Sequence, residues 1–502
     1  MAVVDQTRTW QAERVTTGVP NLDRLLGGGL ARGSMLLVVG GPGTGKTVLT
    51  EQMAFHWGAQ GKSVLWLVTL GEANEKFLTN LSEMSFYDRR QIGATIELVN
   101  LTRFLHDGVQ AEMNVIRETL RSASFSFVVI DGFQSLRCFM DSTREVRLFL
   151  SELGAELALM GITLVITADA DPTRYWESPE FTMADCIISL EQTVIDGRQQ
   201  RQLQVLKLRG HSTIGGPHSF AISRDGVHTY PRLESIVSSV QAPYGPGRQG
   251  FDLPGLDHLL NGGPLEGSTT LIMGSPGTGK SHLANHFLAA GLRQGQPSLH
   301  VALFELEERI LQQADAFDLP FRSAQRDGLL RIIAHEPGDC SPDACAEEIM
   351  RDVEARGVRR LVIDSIDTIE GALAPHGRAI DYLSALVTYL RGRSVTSVLT
   401  YGLSRLLGTA VDLPEPMAAQ VTSNLIMLHF VERGGRLRRF LSVVKMRYSM
   451  HSNTIAELLL HEGRVNVVTE PMHGEVEPVG AAACAPGERQ TEGGYYPFRL
   501  TQ

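Results

Sequence analysis

Gly40-Gly41-Pro42-Gly43-Thr44-Gly45-Lys46-Thr47 decides the fold. The stretch fits the phosphate-loop pattern G-x-x-x-x-G-K-[ST] at every required position. The apolar run Met35-Leu36-Leu37-Val38-Val39 before it predicts a buried strand, and Val48-Leu49-Thr50-Glu51-Gln52-Met53-Ala54 after it predicts the opening of a helix. Strand, loop and helix are the setting that the motif needs. The pattern returns as Gly274-Ser275-Pro276-Gly277-Thr278-Gly279-Lys280-Ser281, behind Thr269-Thr270-Leu271-Ile272-Met273. Two loops predict two nucleotide sites.

Other landmarks are doubled as well. The loops start 234 residues apart, at Gly40 and Gly274. Val128-Val129-Ile130-Asp131 and Leu361-Val362-Ile363-Asp364 end 233 residues apart, and Lys207-Leu208-Arg209 and Lys445-Met446-Arg447 end 238 apart. Three landmarks near one offset mark a tandem duplication of a unit of roughly 230 residues. The expected organisation is a lead-in over 1–14, a first ATPase domain over 15–240, a second over 241–468 and a tail over 469–502. The seam falls in Val240-Gln241-Ala242-Pro243-Tyr244-Gly245-Pro246-Gly247, rich in turn formers. The tail, rich in Gly, Pro, Glu and Ala, is expected to be disordered, with Tyr495-Tyr496-Pro497-Phe498 a small aromatic cluster near its end.

In each repeat a short amphipathic helix closed by glycines precedes the loop, within Thr16–Leu30 and Phe251–Gly263. In the first repeat strands are predicted at 35–39, 63–69, 95–100, 126–131 and 162–167, with helices at 47–59 and 144–158 between them. Buried strands alternating with helices indicate an α/β fold, a mostly parallel twisted sheet flanked by helices. The later parts, 185–230 and 422–468, read as antiparallel strands at one edge, with turns at Asp196-Gly197 and Gly434-Gly435.

Composition narrows the function class. Of 502 residues, 43% are hydrophobic and 20% charged, a soluble balance. No apolar run approaches the ~18 residues of a membrane span, and Met1-Ala2-Val3-Val4-Asp5-Gln6 carries no secretory pattern, so a cytoplasmic location without membrane attachment is expected. The net charge of −10 makes nucleic acid an unlikely partner. Cysteines at 138, 186, 340, 345 and 484 match no zinc spacing.

The chemistry centres on the loops. Backbone N–H groups of Gly41, Pro42-flanked Gly43, Thr44, Gly45, Lys46 and Thr47, and of Ser275, Gly277, Thr278, Gly279, Lys280 and Ser281 beside Pro276, form anion cradles at a helix N-terminus. Val48 and His282, next in the chain, complete the ATP contacts. Lys46 and Lys280 would reach the β- and γ-phosphates, and Thr47 and Ser281 would place a hydroxyl on Mg2+. Asp131 and Asp364, each ending an apolar strand, are the magnesium carboxylates. Glu72 and Glu305 are the candidates to orient or deprotonate the attacking water, whereas Glu75, Glu307 and Glu308 fit a helix N-terminal role better. Lys207 and Arg209 lie two apart on a strand and share a face, as do Lys445 and Arg447. Such a pair is either a solvated basic face or a finger that reaches a neighbour's γ-phosphate.

These features resemble the KaiC family of RecA-like ATPases, the circadian clock ATPases and their wider relatives. The resemblance covers about residues 12–468 and rests on both loops, the Asp131 and Asp364 strands, Lys207-Leu208-Arg209-Gly210, Lys445-Met446-Arg447 and the segments before each loop. It implies two tandem RecA-like P-loop domains in a homohexamer of two stacked rings, with ATP and Mg2+ at each subunit interface. Lys207, Leu208 and Arg209, and Lys445, Met446 and Arg447, then match residues that act on the neighbour's nucleotide; Ser212, Ser449 and His451 match there too, while His211 and Thr213 are altered. Tyr448 stands where the family has glycine. The clock members carry two adjacent glutamates where this chain has Gly71-Glu72 and Phe304-Glu305. Their phosphoacceptor positions are Ala419 and Gln420 here, without hydroxyls; Thr422 and Ser423 are nearby. The expected function is an ATPase whose nucleotide state an unidentified regulatory protein reads. The alternatives are a Ser/Thr autokinase and clock component, and a nucleotide-gated scaffold with little turnover. A DNA motor is disfavoured by the acidic total.

Overall fold

The computed structural model describes residues 13–68, 79, 81–101, 109–140, 142–169, 178–195, 198–237, 242–303, 305–335, 341–373, 377–403, 421–461 and 463–469. Glu72, Glu75, Gly71, Phe304, Ala419 and Gln420, the turn Asp196-Gly197, and nearly all of the expected lead-in and tail lie outside these residues.

Each repeat builds a nine-stranded mixed sheet of one topology. In the first, the order across the sheet is Ile96–Asn100, Val64–Val68, Phe127–Asp131, Thr163–Ala168, Met35–Gly40, Cys186–Ile195, Arg198–Leu208, His218–Ser223 and Gly226–Tyr230. In the second it is Leu330–Ala334, Ser298–Ala302, Arg360–Asp364, Thr396–Gly402, Thr269–Gly274, Asn424–Arg433, Arg436–Met446, Ala456–His461 and Arg464–Val468. The first six strands of each order pair in parallel and the rest pair antiparallel. The expected mostly parallel sheet with an antiparallel edge is therefore present twice, and the strands expected at 35–39, 95–100, 126–131 and 162–167 lie within one residue of those observed. Met35–Gly40, Phe127–Asp131 and Thr269–Gly274 are buried along their whole length and Arg360–Asp364 up to its final aspartate, which explains their unbroken apolar runs. Among the described residues no helix is long and apolar enough to cross a membrane.

The antiparallel half is aimed by two features. Gly434 and Gly435, at φ 59° and 71°, join Arg433 to Arg436 in a two-residue turn whose positive φ angles match strand twist. A register shift falls at the same place in both sheets, where Ile187 pairs Lys207 and Ile188 pairs Val205, and where Leu425 pairs Lys445 and Ile426 pairs Val443. The extra residue bends the strand just before each Lys-x-Arg pair.

By compactness the chain divides after Val240, and the first unit also takes the described parts of 336–355 and 372–389. Within that unit Arg378 donates to both Glu234 oxygens at 2.6 and 3.0 Å and to Asp343 at 2.9 and 3.1 Å. Asp343, fully buried, also accepts the Leu233 N–H at 3.3 Å.

The repeats pack their loop helices differently. In the first, Trp57 of the helix Lys46–Ala59 stacks on Phe127 at 3.8 Å and 4°. The corresponding residues of the second are Gly291 and Arg360. Arg360 is 0% exposed. It donates to Gln296 Oε1 at 2.7 Å, Gly250 O at 2.6 Å and Phe287 O at 2.8 Å, and lies 4.7 Å over the Phe287 ring. A Cβ on Gly291 would stand 2.4 Å from Arg360 Cδ. Gly291→Ala is therefore expected to destabilise the chain by about 1–3 kcal/mol in chemical denaturation. Gly392→Ala, on an exposed helix end with open space around it, is the control expected to be neutral or slightly stabilising.

Candidate functional site

Both loops turn on positive-φ glycines, Gly43 at 74° and Gly45 at 102°, and Gly277 at 80° and Gly279 at 104°. Gly45 and Gly279 cap the helices Lys46–Ala59 and Lys280–Arg293. Among the described residues, the only backbone bond made by an N–H from Gly43 to Thr47 is that of Thr44, to Gly41 O at 3.4 Å. The second loop repeats this, with Thr278 N–H on Ser275 O at 3.3 Å. Amides at a helix N-terminus with no acceptor of their own fit a polyphosphate.

The lysines lie back across their loops. Lys46 Nζ donates to Gly40 O at 2.9 Å and Gly41 O at 2.8 Å and pairs with Asp169 Oδ1 at 2.7 Å. Lys280 Nζ donates to Gly274 O at 2.8 Å and Ser275 O at 3.1 Å. Burial lowers the Lys280 pKa, against Asp364 and Asp367, which raise it. Both cations are held by carbonyls of their own loop and could exchange these for phosphate oxygens.

Asp131 is 1% exposed and ends the strand beside the loop strand's neighbour. Its Oδ1 accepts from Thr167 Oγ1 at 2.6 Å and from Thr47 Oγ1 at 3.4 Å. Burial raises its pKa, opposed by those two hydroxyls and by Lys46. A divalent cation would reverse that cost, so the Thr47 hydroxyl and Asp131 fit magnesium held partly through water. In the second site Thr400 Oγ1 donates to Asp364 Oδ1, and Lys280 feels Asp364. Thr167 and Thr400 escaped the sequence argument, although they too recur at an offset of 233 residues and could have been found from it. Asp169 was missed for a different reason: its counterpart is Gly402, whose N–H is held by Asp367 at 3.0 and 3.1 Å.

Glu305 is exposed just before the helix Glu307–Ala316. Partial burial and then the Asp364 carboxylate raise its pKa, and Arg309 opposes them, so Glu305 lies within electrostatic reach of Asp364. Glu307 is taken by Gln325, and Glu308 by Arg322 at 2.6 Å, so both serve the helix–helix contact. Glu72 lies outside the described residues.

Lys207 and Arg209 do converge, but on the end of the helix Pro179–Met183. Lys207 Nζ donates to Phe181 O and Thr182 O, each at 3.1 Å; Arg209 donates to Thr182 O at 3.1 Å and Asp185 Oδ1 at 3.0 Å. Lys445 Nζ donates likewise to Thr422 O at 2.9 Å, and Arg447 N–H to Ser423 O at 2.9 Å. Burial and the adjacent arginine lower the pKa of each lysine. Leu208 is partly buried and Met446 buried; Ser212 is exposed, and His451 partly buried. Ser449 Oγ accepts from Arg248 at 2.9 Å. Tyr448 takes φ 59° where the first repeat has Gly210 at 79°, so its departure from glycine carries backbone strain; its ring packs 5.5 Å from Tyr244. Thr422 and Ser423 are 0% and 1% exposed, and the Ser423 hydroxyl is shared with Tyr244 OH at 2.9 Å. Neither hydroxyl stands open to a phosphoryl donor within the chain.

The two loop helices carry different polar residues. Glu51, one turn past Thr47, is 6% exposed, and burial followed by the Asp131 charge pushes its carboxyl up to about 8. The corresponding Asn285 is bonded to His300 and Gln313 at 3.1 and 3.3 Å. His282 packs against Phe317 at 4.3 Å, giving the second site an aromatic wall beside Ser281; Val48 stands at that place in the first.

A family model described as the ATPase KaiC matches residues 15–234 and again 252–472. The chain is 25% identical over 474 residues to the circadian clock oscillator protein KaiC of Rippkaea orientalis, covering 91% of this chain and 89% of that protein. It is likewise 25% identical to the protein of that name from Picosynechococcus sp., over 90% of this chain and 89% of the relative. To the circadian clock protein KaiC3 of Synechocystis sp. it is 24% identical, over 92% of this chain and 93% of the relative.

Glu51 gives the site a pH dependence. Its folded pKa of about 8 stands above the ordinary 4.5, so the native chain keeps a proton that the unfolded chain has lost. The associated stability is full below the ordinary value and is lost as pH rises toward the folded one. Glu51→Gln is expected to match the parent's denaturation midpoint near pH 4.5 and to exceed it increasingly up to pH 8.

Proposed function

Because the chain belongs to the KaiC family of ATPases, we propose that it is a magnesium-dependent ATPase. It assembles as a homohexamer of two stacked rings, binds ATP between subunits and serves as a nucleotide-dependent regulatory protein in the cytoplasm. The observation that carries this reading is the doubled cradle, each with amides lacking acceptors, a lysine folded across the loop and a threonine-held aspartate opposite. ATP supplies the phosphoanhydride bond and Mg2+ offsets its charge. Lys46 and Lys280 would leave their loop carbonyls for the β- and γ-oxygens. Thr47 with Asp131, and Ser281 with Asp364, would hold the metal. Glu72 and Glu305 would orient the attacking water.

Lys207, Arg209 and Lys445 turn their side chains to their own chain's carbonyls rather than its loops. That favours an action on the neighbouring subunit's nucleotide, as the family resemblance implies. The partner is an unidentified protein. Nucleic acid does not suit a chain of net charge −10.

The lone Glu305, exposed and without a neighbouring carboxylate at position 304, favours a second reading, a scaffold with slow turnover. The autokinase reading draws no support from the buried Thr422 and Ser423. Purified parent is expected to release phosphate from ATP at a rate that a Lys46→Ala/Lys280→Ala double variant abolishes, and Arg209→Ala/Arg447→Ala is expected to lower turnover at least about tenfold while ATP still binds. Tight ATP binding and assembly with background turnover would favour the scaffold. Turnover equal in the parent and the lysine double variant would contradict the ATPase assignment.

A further inference from the structure

A line of side-chain hydrogen bonds runs through the second repeat into its candidate nucleotide site. It starts at His300, 2% exposed on the strand Ser298–Ala302. His300 Nε2 lies 3.1 Å from Asn285 Oδ1, Asn285 Nδ2 lies 3.3 Å from Gln313 Oε1, and Gln313 Nε2 lies 3.5 Å from His282 Nδ1. His282 directly follows Ser281, and its ring lies against Phe317.

The buried end sets the sense of the line. Burial holds His300 neutral, its pKa pushed down to about 4, so the ring has one donor and one acceptor. Its Nδ1 is buried with no hydrogen-bond partner. A proton there would be a buried donor without an acceptor, which is costly, so the proton sits on Nε2. Asn285 then accepts through Oδ1 and donates through Nδ2, and Gln313 accepts through Oε1 and donates to His282 Nδ1. That leaves the His282 proton on Nε2. Among the described residues Nε2 has no protein partner, and it is not sealed from solvent as both nitrogens of His286 are one turn further on.

We propose that His282 is a base-reading residue of the second site, locked by the His300–Asn285–Gln313 relay in the Nε2–H form, which donates a hydrogen bond to a ring nitrogen of the bound purine. The proposal rests on the second loop binding ATP, and it adds the group that reads the base. His300, Asn285 and Gln313 are positioning residues. The first site has Trp66, Glu51, Thr79 and Val48 at the four places, so the relay belongs to the second site alone.

Two measurements on the full chain test this. In histidine-labelled protein, long-range proton–nitrogen spectra, with His282 assigned by difference from His282→Gln, are expected to show its proton on Nε2. Above the pH of about 8 at which the matching Glu51 carboxyl loses its proton, Asn285→Asp is ionised and can only accept, so it turns the Gln313 amide over and moves that proton to Nδ1, and both measurements are made there. Should Asn285→Asp fail to fold, Gln313→Leu cuts the same line. In a Lys46→Ala background, which leaves only the second site, calorimetry compares ATP with tripolyphosphate, which has no base. His282→Leu and Asn285→Asp are each expected to weaken ATP about three- to tenfold, one hydrogen bond's share, and to leave tripolyphosphate unchanged. A proton on Nδ1 in the parent, unchanged ATP affinity, or equal losses for ATP and tripolyphosphate would each overturn the proposal. If the Lys46→Ala chain binds neither compound, the nucleotide reading of the second loop fails instead, and the spectra still decide the relay.

Discussion

Each phosphate loop is pressed against the antiparallel half of its own sheet, and only glycine permits the approach. A Cβ on Gly40 would stand 2.3 Å from Leu190 O, and one on Gly274 would stand 2.6 Å from Leu428 O. A Cβ on Gly45 would stand 2.4 Å from Ile222 Cδ1 and one on Gly279 3.0 Å from Leu458 Cδ2, each at a φ above 100° that other residues resist. The loop is therefore seated on backbone at its first glycine and on aliphatic side chains at its last, and the helix behind it starts at a fixed place. The position of Lys46 and Lys280, the reach of Thr47 toward Asp131, and the face on which Glu51 or Asn285 falls all follow from that seating.

The same constraint explains why two halves with little residue identity share one topology. What recurs is the loop, the strand-ending aspartate with its threonine, and the bulge before each Lys-x-Arg pair. What differs lies behind the site. The first helix buries Trp57 on Phe127 and a protonatable Glu51; the second exchanges these for Gly291 beside Arg360, and for an amide–histidine line. Each replacement is matched by its neighbour, as close packing demands. Duplicated sites can thus keep one chemistry while their surroundings diverge.

The fold was legible because burial on both faces writes continuous apolar runs, and the loop pattern fixes what lies before and after it. Asp131 and Asp364 were legible because they end such runs at a repeated offset. Thr167 and Thr400 were equally repeated, but a threonine inside an apolar strand looks like an ordinary β-former until its hydroxyl is seen on the aspartate. Asp169 left no repeated trace, since the second repeat uses Asp367 from a helix nearby. Lys207 and Arg209 do share the target that their spacing suggested, yet the target within one chain is a helix end, which depends on tertiary packing that spacing cannot encode.

The central claim is that both loops, despite different surroundings, hold nucleotide. The direct measurement is the number of ATP molecules bound per chain at saturation, by equilibrium dialysis, for the parent, Lys46→Ala, Lys280→Ala and the double variant. The account predicts about two for the parent, one for each single variant and none for the double. A parent that binds one, with a loss in only one of the single variants, would contradict it.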